Sequence, residues 1–256
     1  MKYLFNITFF ILSTFVLLFI IIPLVGLFSG VGWNGLMNAF CDAEIMRSVL
    51  LTMKISFLGT CLVLFTGLPL AYLVARYDFR GKSIIESIID IPVMIPHTAA
   101  GIALLMAFSQ GGINSFFEGL GIRFIDTEAG IMLAMMFLSS PFLINSAKEG
   151  FKNVDPKLEN VARTLGAGPF SAFFRIVLPN AKKDIVNGML MMWSRGLGEF
   201  GAVVIIAYHP MIAPVLIYDR FNSYGLSYSA PVAAVMIAVS ATTFLMVRGL
   251  NNRKRI

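Results

Sequence analysis

Six stretches of this chain are each long and apolar enough to cross a bilayer, and this constrains the fold more than any motif does. A helix needs about 20 apolar residues to span a hydrocarbon core about 30 Å thick. The stretches run roughly over 7–28, 49–75, 84–108, 129–146, 185–207 and 230–247. The first, ITFFILSTFVLLFIIIPLVGLF, outruns the ~7–15 apolar residues of a signal-peptide core, and no Ala-x-Ala follows it. It is therefore expected to be a span, not a cleaved leader. Composition agrees: charged residues are only 13%, against about 25% in soluble domains. With 57% hydrophobic residues and a mean hydropathy of +0.81, the chain could not hide its apolar surface from water. The expected fold is all-α and integral to the membrane, one transmembrane domain over 1–256 with six transmembrane helices.

Positive charge sets orientation. With the N-terminus in the cytoplasm, fifteen of the 20 Lys and Arg fall on the inner side. They are Lys2, three residues in 76–83, seven in 147–184 and four after residue 247. Arg47, Arg123 and Arg220 fall outside, while Lys54 and Arg195 lie within spans. The asymmetry predicts both termini inside (N-in/C-in). It also places the largest polar region, about 147–184 between helices four and five, in the cytoplasm. The net charge of +6 is explained by topology and needs no nucleic acid partner. Lys54, near the outer end of span two, is expected to snorkel. Cys41 and Cys61 lie in or beside apolar stretches without metal-ligand spacing and are expected to be unpaired.

The inner loop has a readable plan. Asp155-Pro156 is a helix start, with Asp as cap and Pro at the first helical position. Leu158, Val161, Ala162 and Leu165 then fall on one face, while Glu159, Asn160, Arg163 and Thr164 point elsewhere. Gly166 is the expected stop. Gly168-Pro169 opens a second helix, on which Phe170, Phe173, Phe174 and Val177 repeat the spacing, and Pro179 closes the unit. Two short amphipathic helices suit either an interfacial helix lying on lipid or a docking knob for another protein.

The sequence carries no engine of its own. Gly81-Lys82-Ser83 looks like the end of a phosphate-binding loop, but Arg76 stands where that loop needs its first Gly. His97 and His209 belong to no metal or nucleophile motif, so the chain is not expected to be an enzyme and no metal site is predicted.

Intramembrane charges are costly and each needs a reason. In span five, MWSRGLGEFGAVVIIAY holds Arg195 and Glu199 at i, i+4, where they can pair as a structural tie or as a gating element. Ser194, Gly198 and Ala202 form a small-xxx-small row that favours close helix contact. In span three, Pro92 and Pro96 should free carbonyls and kink the helix, with Asp90, His97 and Thr98 adding polar groups beside the kinks. That segment reads as lining a translocation path or as a packed kink. Asn145 and Ser146 of span four are expected to make interhelical hydrogen bonds.

ENVARTLGAGPFSAFFRIVLP resembles the cytoplasmic loop of ABC-transporter permease subunits. That pattern runs Glu-Ala-Ala, three residues, Gly, nine residues, Ile-x-Leu-Pro. Gly166 and Ile176-Val177-Leu178-Pro179 match in full, and Ala162 matches the second Ala. Asn160 and Val161 replace the Glu and first Ala, with Glu159 one place early. DIPVMIPHTAAGIALL and SRGLGEFGAVVIIAYHPMIAPVLIYDRF extend the resemblance to oxyanion permeases, and most nearly to archaeal molybdate/tungstate ones, over about residues 45–248.

The resemblance implies an importer working by alternating access in the cell membrane. Its expected partners are a second copy of the chain, two cytoplasmic ATPase subunits that bind ATP and Mg, and an extracytoplasmic oxyanion-binding protein. This chain itself would hold no cofactor. Pro156, Leu158, Glu159, Val161, Ala162, Arg163, Leu165, Gly166, Phe170, Phe174 and Pro179 would couple to the ATPase. Asp90, Pro92, Pro96, His97, Thr98, Arg195 and Glu199 would form the path or gate. Arg195 is nearly the only basic residue in the spans and Glu199 can neutralise it, so capture of the anion is expected in the binding protein. Sulfate is the alternative substrate. An ion-driven secondary transporter using Asp90, Glu86 or Glu199 is the alternative of another class.

Overall fold

The computed structural model describes residues 2–253. Lys254 and Arg255, counted among the C-terminal charges, lie outside the described residues, as do the side chains of Lys2, Arg248 and Arg253. Among the described residues the chain is helical with no strand.

The first helices are α1 (Lys2–Cys41), α2 (Ala43–Arg76), α3 (Lys82–Met94), α4 (His97–Ser109) and α5 (Gly111–Gly119). They are followed by α6 (Glu128–Lys152), α7 (Pro156–Thr164) and α8 (Pro169–Ala172). A π turn, Phe173–Val177, leads into α9 (Leu178–Leu197), then α10 (Val203–Ile206), α11 (Ala213–Tyr224) and α12 (Leu226–Arg253). Side chains start the long helices. Asp42 accepts from the backbone N–H groups of Glu44 and Ile45 ahead of α2, and Thr127 accepts from that of Gly130 in α6.

Helix α6 is central, packed along α2 on one side and α9 on the other. One apolar cluster joins α2, α4, α6, α10 and α11 through Ile55, Leu104, Ile131, Met135, Ile206 and Val215. A second, through Ile89, Leu143, Phe151, Val177 and Ile185, ties α2, α3, α6 and α9 at the loop end. The third seats the end of α1 with α2, α9, α11 and α12 around Ala39, Ile45, Trp193 and Val232. In the first part of α1, Phe10, Phe15 and Phe19 are all exposed. So much contiguous apolar surface suits lipid or another subunit, not water.

Four helices among the described residues are long and apolar enough to cross a membrane: Phe5–Cys41, Ala43–Arg76, Glu128–Lys152 and Leu226–Val247. The α3–α4 pair makes a fifth if taken as one broken span. This differs from the expected six in two places. In span three the expected kink is a break: α3 and α4 meet at 112°. Pro92 is tolerated inside α3, but Pro96 holds Ile95 in an extended conformation and stops the helix. The expected span 185–207 is not one helix either. Helix α9 carries Lys182, Lys183, Asp184 and Arg195 and stops at Leu197, and only the short α10 follows.

The Ser194, Gly198 and Ala202 row crosses that stop and does not form. The close approaches come from Gly188 and Gly196 instead. A methyl on Gly188 would lie 2.8 Å from the Ser146 Cβ, and one on Gly196 would overlap the Ser56 hydroxyl. The exposed Lys54 Nζ lies 2.7 Å from Glu128 at the start of α6. The stretches between the expected spans at about 29–48, 109–128 and 208–229 also carry helix, namely the end of α1, α5 and α11. Cys41 and Cys61 are free thiols.

Candidate functional site

The polar region between α6 and α9 folds as its residues direct, with two corrections. Asp155 caps α7, accepting from the Lys157 backbone N–H at 2.9 Å. Helix α7 ends at Thr164, and Gly166 takes the left-handed conformation (φ 86°). The Ala167 N–H donates to the Ala162 carbonyl and the Gly166 N–H to that of Arg163, each at 3.0 Å, which closes the helix end.

The first correction concerns Pro179, which does not close the unit. Helix α8, the π turn and α9 run on continuously, with Pro179 in the first turn of α9. The wider turn, closed by the Leu178 N–H on the Phe173 carbonyl, lets the backbone pass the ring.

The second concerns Glu159, which the spacing sets off the apolar face and the resemblance offers to the ATPase. It is 5% exposed and is the one buried residue of α7. The carboxylate lies 2.6 Å from Arg76 Nη2 and accepts from the Tyr72 hydroxyl at 2.9 Å. Arg163 stands 3.9 Å away on the same helix. The apolar residues are the ones turned outward: Leu158 (47% exposed), Val161, Leu165 (82%) and, beyond the glycine, Phe170 (81%) and Phe174. Ala162 is half-buried, while Pro156, Arg163 and Gly166 are exposed. Tyr72 and Arg76 carried no signal in the sequence. Arg76 read only as one more inner charge, and Tyr72 is 87 residues from Glu159.

The second group joins the break between α3 and α4 to the segment that follows α9. Glu199 lies just past the end of α9 and is 1% exposed. Its carboxylate sits 2.9 Å from His97 Nδ1, on the first residue of α4, and 3.6 Å from Arg195 Nη1. Arg195 Nη2 also lies 2.5 Å from His97 Nε2. Glu199 further accepts from the Ala202 N–H at 3.1 Å. That bond gives the backbone an alternative to continuing the helix, which explains the break at 198–202. Glycine allows the two breaks to touch: a methyl on Gly201 would lie 2.7 Å from His97 Cβ, and one on Gly101 would lie 2.9 Å from Ala202 Cα. The expected Arg195–Glu199 proximity is present, and His97 joins it from another helix. Thr98 is exposed beside them.

Asp90 lies elsewhere. It accepts from the Asn145 amide at 2.6 Å, while the Ser146 hydroxyl donates to the Asp184 carbonyl at 2.7 Å, so both expected interhelical bonds form. Asp90, Met94, Asn145, Glu149, Asp184 and Met191 line a cleft of about 590 Å³ between α3, α6 and α9. Pro92 is buried away from it and Pro96 is exposed at the break.

At the opposite end, Arg220 of α11 reaches Asp42 at 3.1 Å and Glu44 at 2.6 Å. Burial would raise the Asp42 carboxyl. The Arg220 bond and the two backbone N–H bonds outweigh it and hold Asp42 below the usual carboxylate range.

The chain is thus all-helical among the described residues, with a broken span tied to the end of α9 at a buried carboxylate and a polar loop that presents apolar side chains. The chain belongs to the binding-protein-dependent transport system inner membrane component family, whose model matches residues 67–256. It is thus a multi-pass membrane protein of that transport class. It is similar to the molybdate/tungstate transport system permease protein WtpB of Pyrococcus furiosus, 39% identical over 95% of this chain and 94% of that protein. The Pyrococcus abyssi protein of the same name is 41% identical over 93% of this chain and 92% of its own length. A bacterial ABC transporter involved in the import of alginate shares the fold, with a TM-score of 0.75 at 17% identity over 97% of this chain and 96% of that one.

Proposed function

We propose that the chain is the membrane-spanning subunit of an ATP-driven importer of molybdate or tungstate. It works as a homodimer with two cytoplasmic ATPase subunits, which bind the ATP and Mg, and an extracytoplasmic binding protein that captures the anion. Six passes with both termini inside are made by α1, α2, the α3–α4 pair, α6, α9 with α10, and α12. The names of the archaeal relatives support the substrate, and the charge asymmetry supports the orientation.

One observation carries the coupling role. Helix α7 buries its glutamate and exposes Leu158, Val161 and Leu165. Apolar side chains held outward on a polar loop suit a groove in a partner protein. The loop from Pro156 to Pro179 is therefore the ATPase contact. The His97–Glu199–Arg195 group, with Pro92, Pro96 and Thr98 about the α3–α4 break, forms the gate of the path, and Asp90 belongs to the path through the cleft it lines with Asn145. Because Glu199 counters Arg195, the path holds the anion weakly, and selectivity lies in the binding protein.

The test is uptake of labelled tungstate by cells that express this chain with the ATPase and the binding protein proposed as its partners. Uptake should need all three and be competed by molybdate. Competition by sulfate alone would overturn the substrate assignment, and uptake without the ATPase would favour an ion-driven transporter. Leu165→Asp should abolish both uptake and recovery of the ATPase with the permease.

A further inference from the structure

Helix α7 is nine residues long and buries a single side chain, and that side chain is charged. Its partners from outside α7, Arg76 and Tyr72, both belong to the last turns of α2. The Arg76 side chain is itself about nine-tenths buried, as is that of Glu159, so the ion pair lies in a protected site. Tyr72 adds its hydroxyl to the same carboxylate. The Tyr72 ring then packs edge-on against Phe173 of the π turn at 4.9 Å and Phe151 at the end of α6 at 5.6 Å. One side chain thus touches α2, α6, α7 and the entry to α9. Helix α2 in turn runs the length of the molecule against α6 and α9.

An apolar contact would hold α7 in place but would let it slide. A buried carboxylate that accepts a hydrogen bond from a phenol on one oxygen and faces a guanidinium on the other, in a close ion pair not aligned as a hydrogen bond, restricts both position and rotation. Burying such a pair is weak evidence for stability and better evidence for a specified register. We propose that Arg76 and Tyr72 are positioning residues that make α2 the receiver of movements imposed on α7. A push on the outward apolar face then displaces α2 and, through it, α6 and α9, instead of being absorbed in the loop. This inference rests on the coupling role assigned to α7 above.

The experiment compares tungstate uptake per ATP hydrolysed in proteoliposomes holding the assembled transporter. The variants are Arg76→Gln, Glu159→Gln, the double variant, Arg76→Lys and Tyr72→Phe. Each glutamine variant should lower the ratio by about fivefold or more, within the range reported for coupling elements. The double variant should fall no further than either single, because the two act through one contact. Tyr72→Phe keeps the ring and should lose about two- to threefold, and Arg76→Lys should lie between wild type and Arg76→Gln.

A purely structural anchor would lower the amount of assembled transporter and leave the ratio alone. Unchanged ratios in Arg76→Gln and Tyr72→Phe would overturn the proposal, as would losses that multiply in the double variant. Should Arg76→Gln not insert, wild-type ratios in both Tyr72→Phe and Arg76→Lys overturn it equally. Leu165→Asp separates the two readings. If the ATPase stays bound to that variant, the coupling role itself falls. If the ATPase is lost there while Arg76→Gln keeps a normal ratio, only the present inference falls.

Discussion

Gly201→Ala is the sharpest probe of how the break before α4 meets the 198–202 segment. The added methyl would lie 2.7 Å from His97 Cβ and 3.4 Å from the Thr98 nitrogen. Ordinary contact begins at 3.4 Å, so the start of α4 and the 198–202 segment must part by at least 0.7 Å. The obstructing atom is the first carbon of a side chain held at both ring nitrogens, so it cannot swing aside as a flexible tip would. Overpacking of this kind costs about 1–3 kcal/mol. For a chain of this size that corresponds to roughly 2–4 °C in melting temperature per kcal/mol. The parting also lengthens the 2.9 Å contact between His97 and Glu199, so transport should fall with stability. Gly198→Ala is the matched control, three residues earlier in the same segment, where the nearest atom to the new methyl is 4.0 Å away. The assay is thermal unfolding of the detergent-purified protein, with tungstate uptake in parallel. Equal melting temperatures and equal uptake for the two variants would refute the close approach of α4 to the 198–202 segment.

Two further outcomes follow from the same geometry. Glu199→Ala leaves His97, Arg195 and the Ala202 N–H without their acceptor. The His97 and Arg195 side chains are about one-third exposed and can be rehydrated, so the loss should be about 1–2 kcal/mol, within the range of polar contacts measured in membrane bundles. Glu199→Gln keeps an acceptor for the Ala202 N–H and should melt higher than Glu199→Ala; the reverse order would count against the network. At the other end, Asp42 has a depressed carboxyl. Its contribution is therefore present above the ordinary value of about 3.9 and lost as pH falls through the lower folded value. With its side chain about one-third exposed, the effect should stay below about 1 kcal/mol. The melting-temperature gap between wild type and Asp42→Asn should narrow between about pH 4 and pH 2, and a gap that widens there would reverse the assignment.

Much was legible from the sequence because the signals were local. Apolar length alone marked the membrane helices, since hydrocarbon admits no unpaired backbone. Asp155, Pro156 and Gly166 announced both ends of α7 because caps and left-handed stops act within a turn. The match from Gly166 to Pro179 identified the loop, and the i, i+4 spacing of Arg195 and Glu199 anticipated their proximity. What failed was decided across long separations. Periodicity gave α7 an apolar and a polar face but could not say which face meets the body. That depended on Arg76 and Tyr72, brought to Glu159 by the packing of α2 on α6. The helix stop at 198–202 looked like a continuous apolar run. It breaks because Glu199 binds the Ala202 N–H and the start of α4 fits against Gly201. Composition and short-range pattern thus determined that the chain is a membrane-embedded helical subunit with one outward loop. Only the tertiary structure decided how that loop is anchored and where the spans break, because buried charges choose their partners through space, not along the chain.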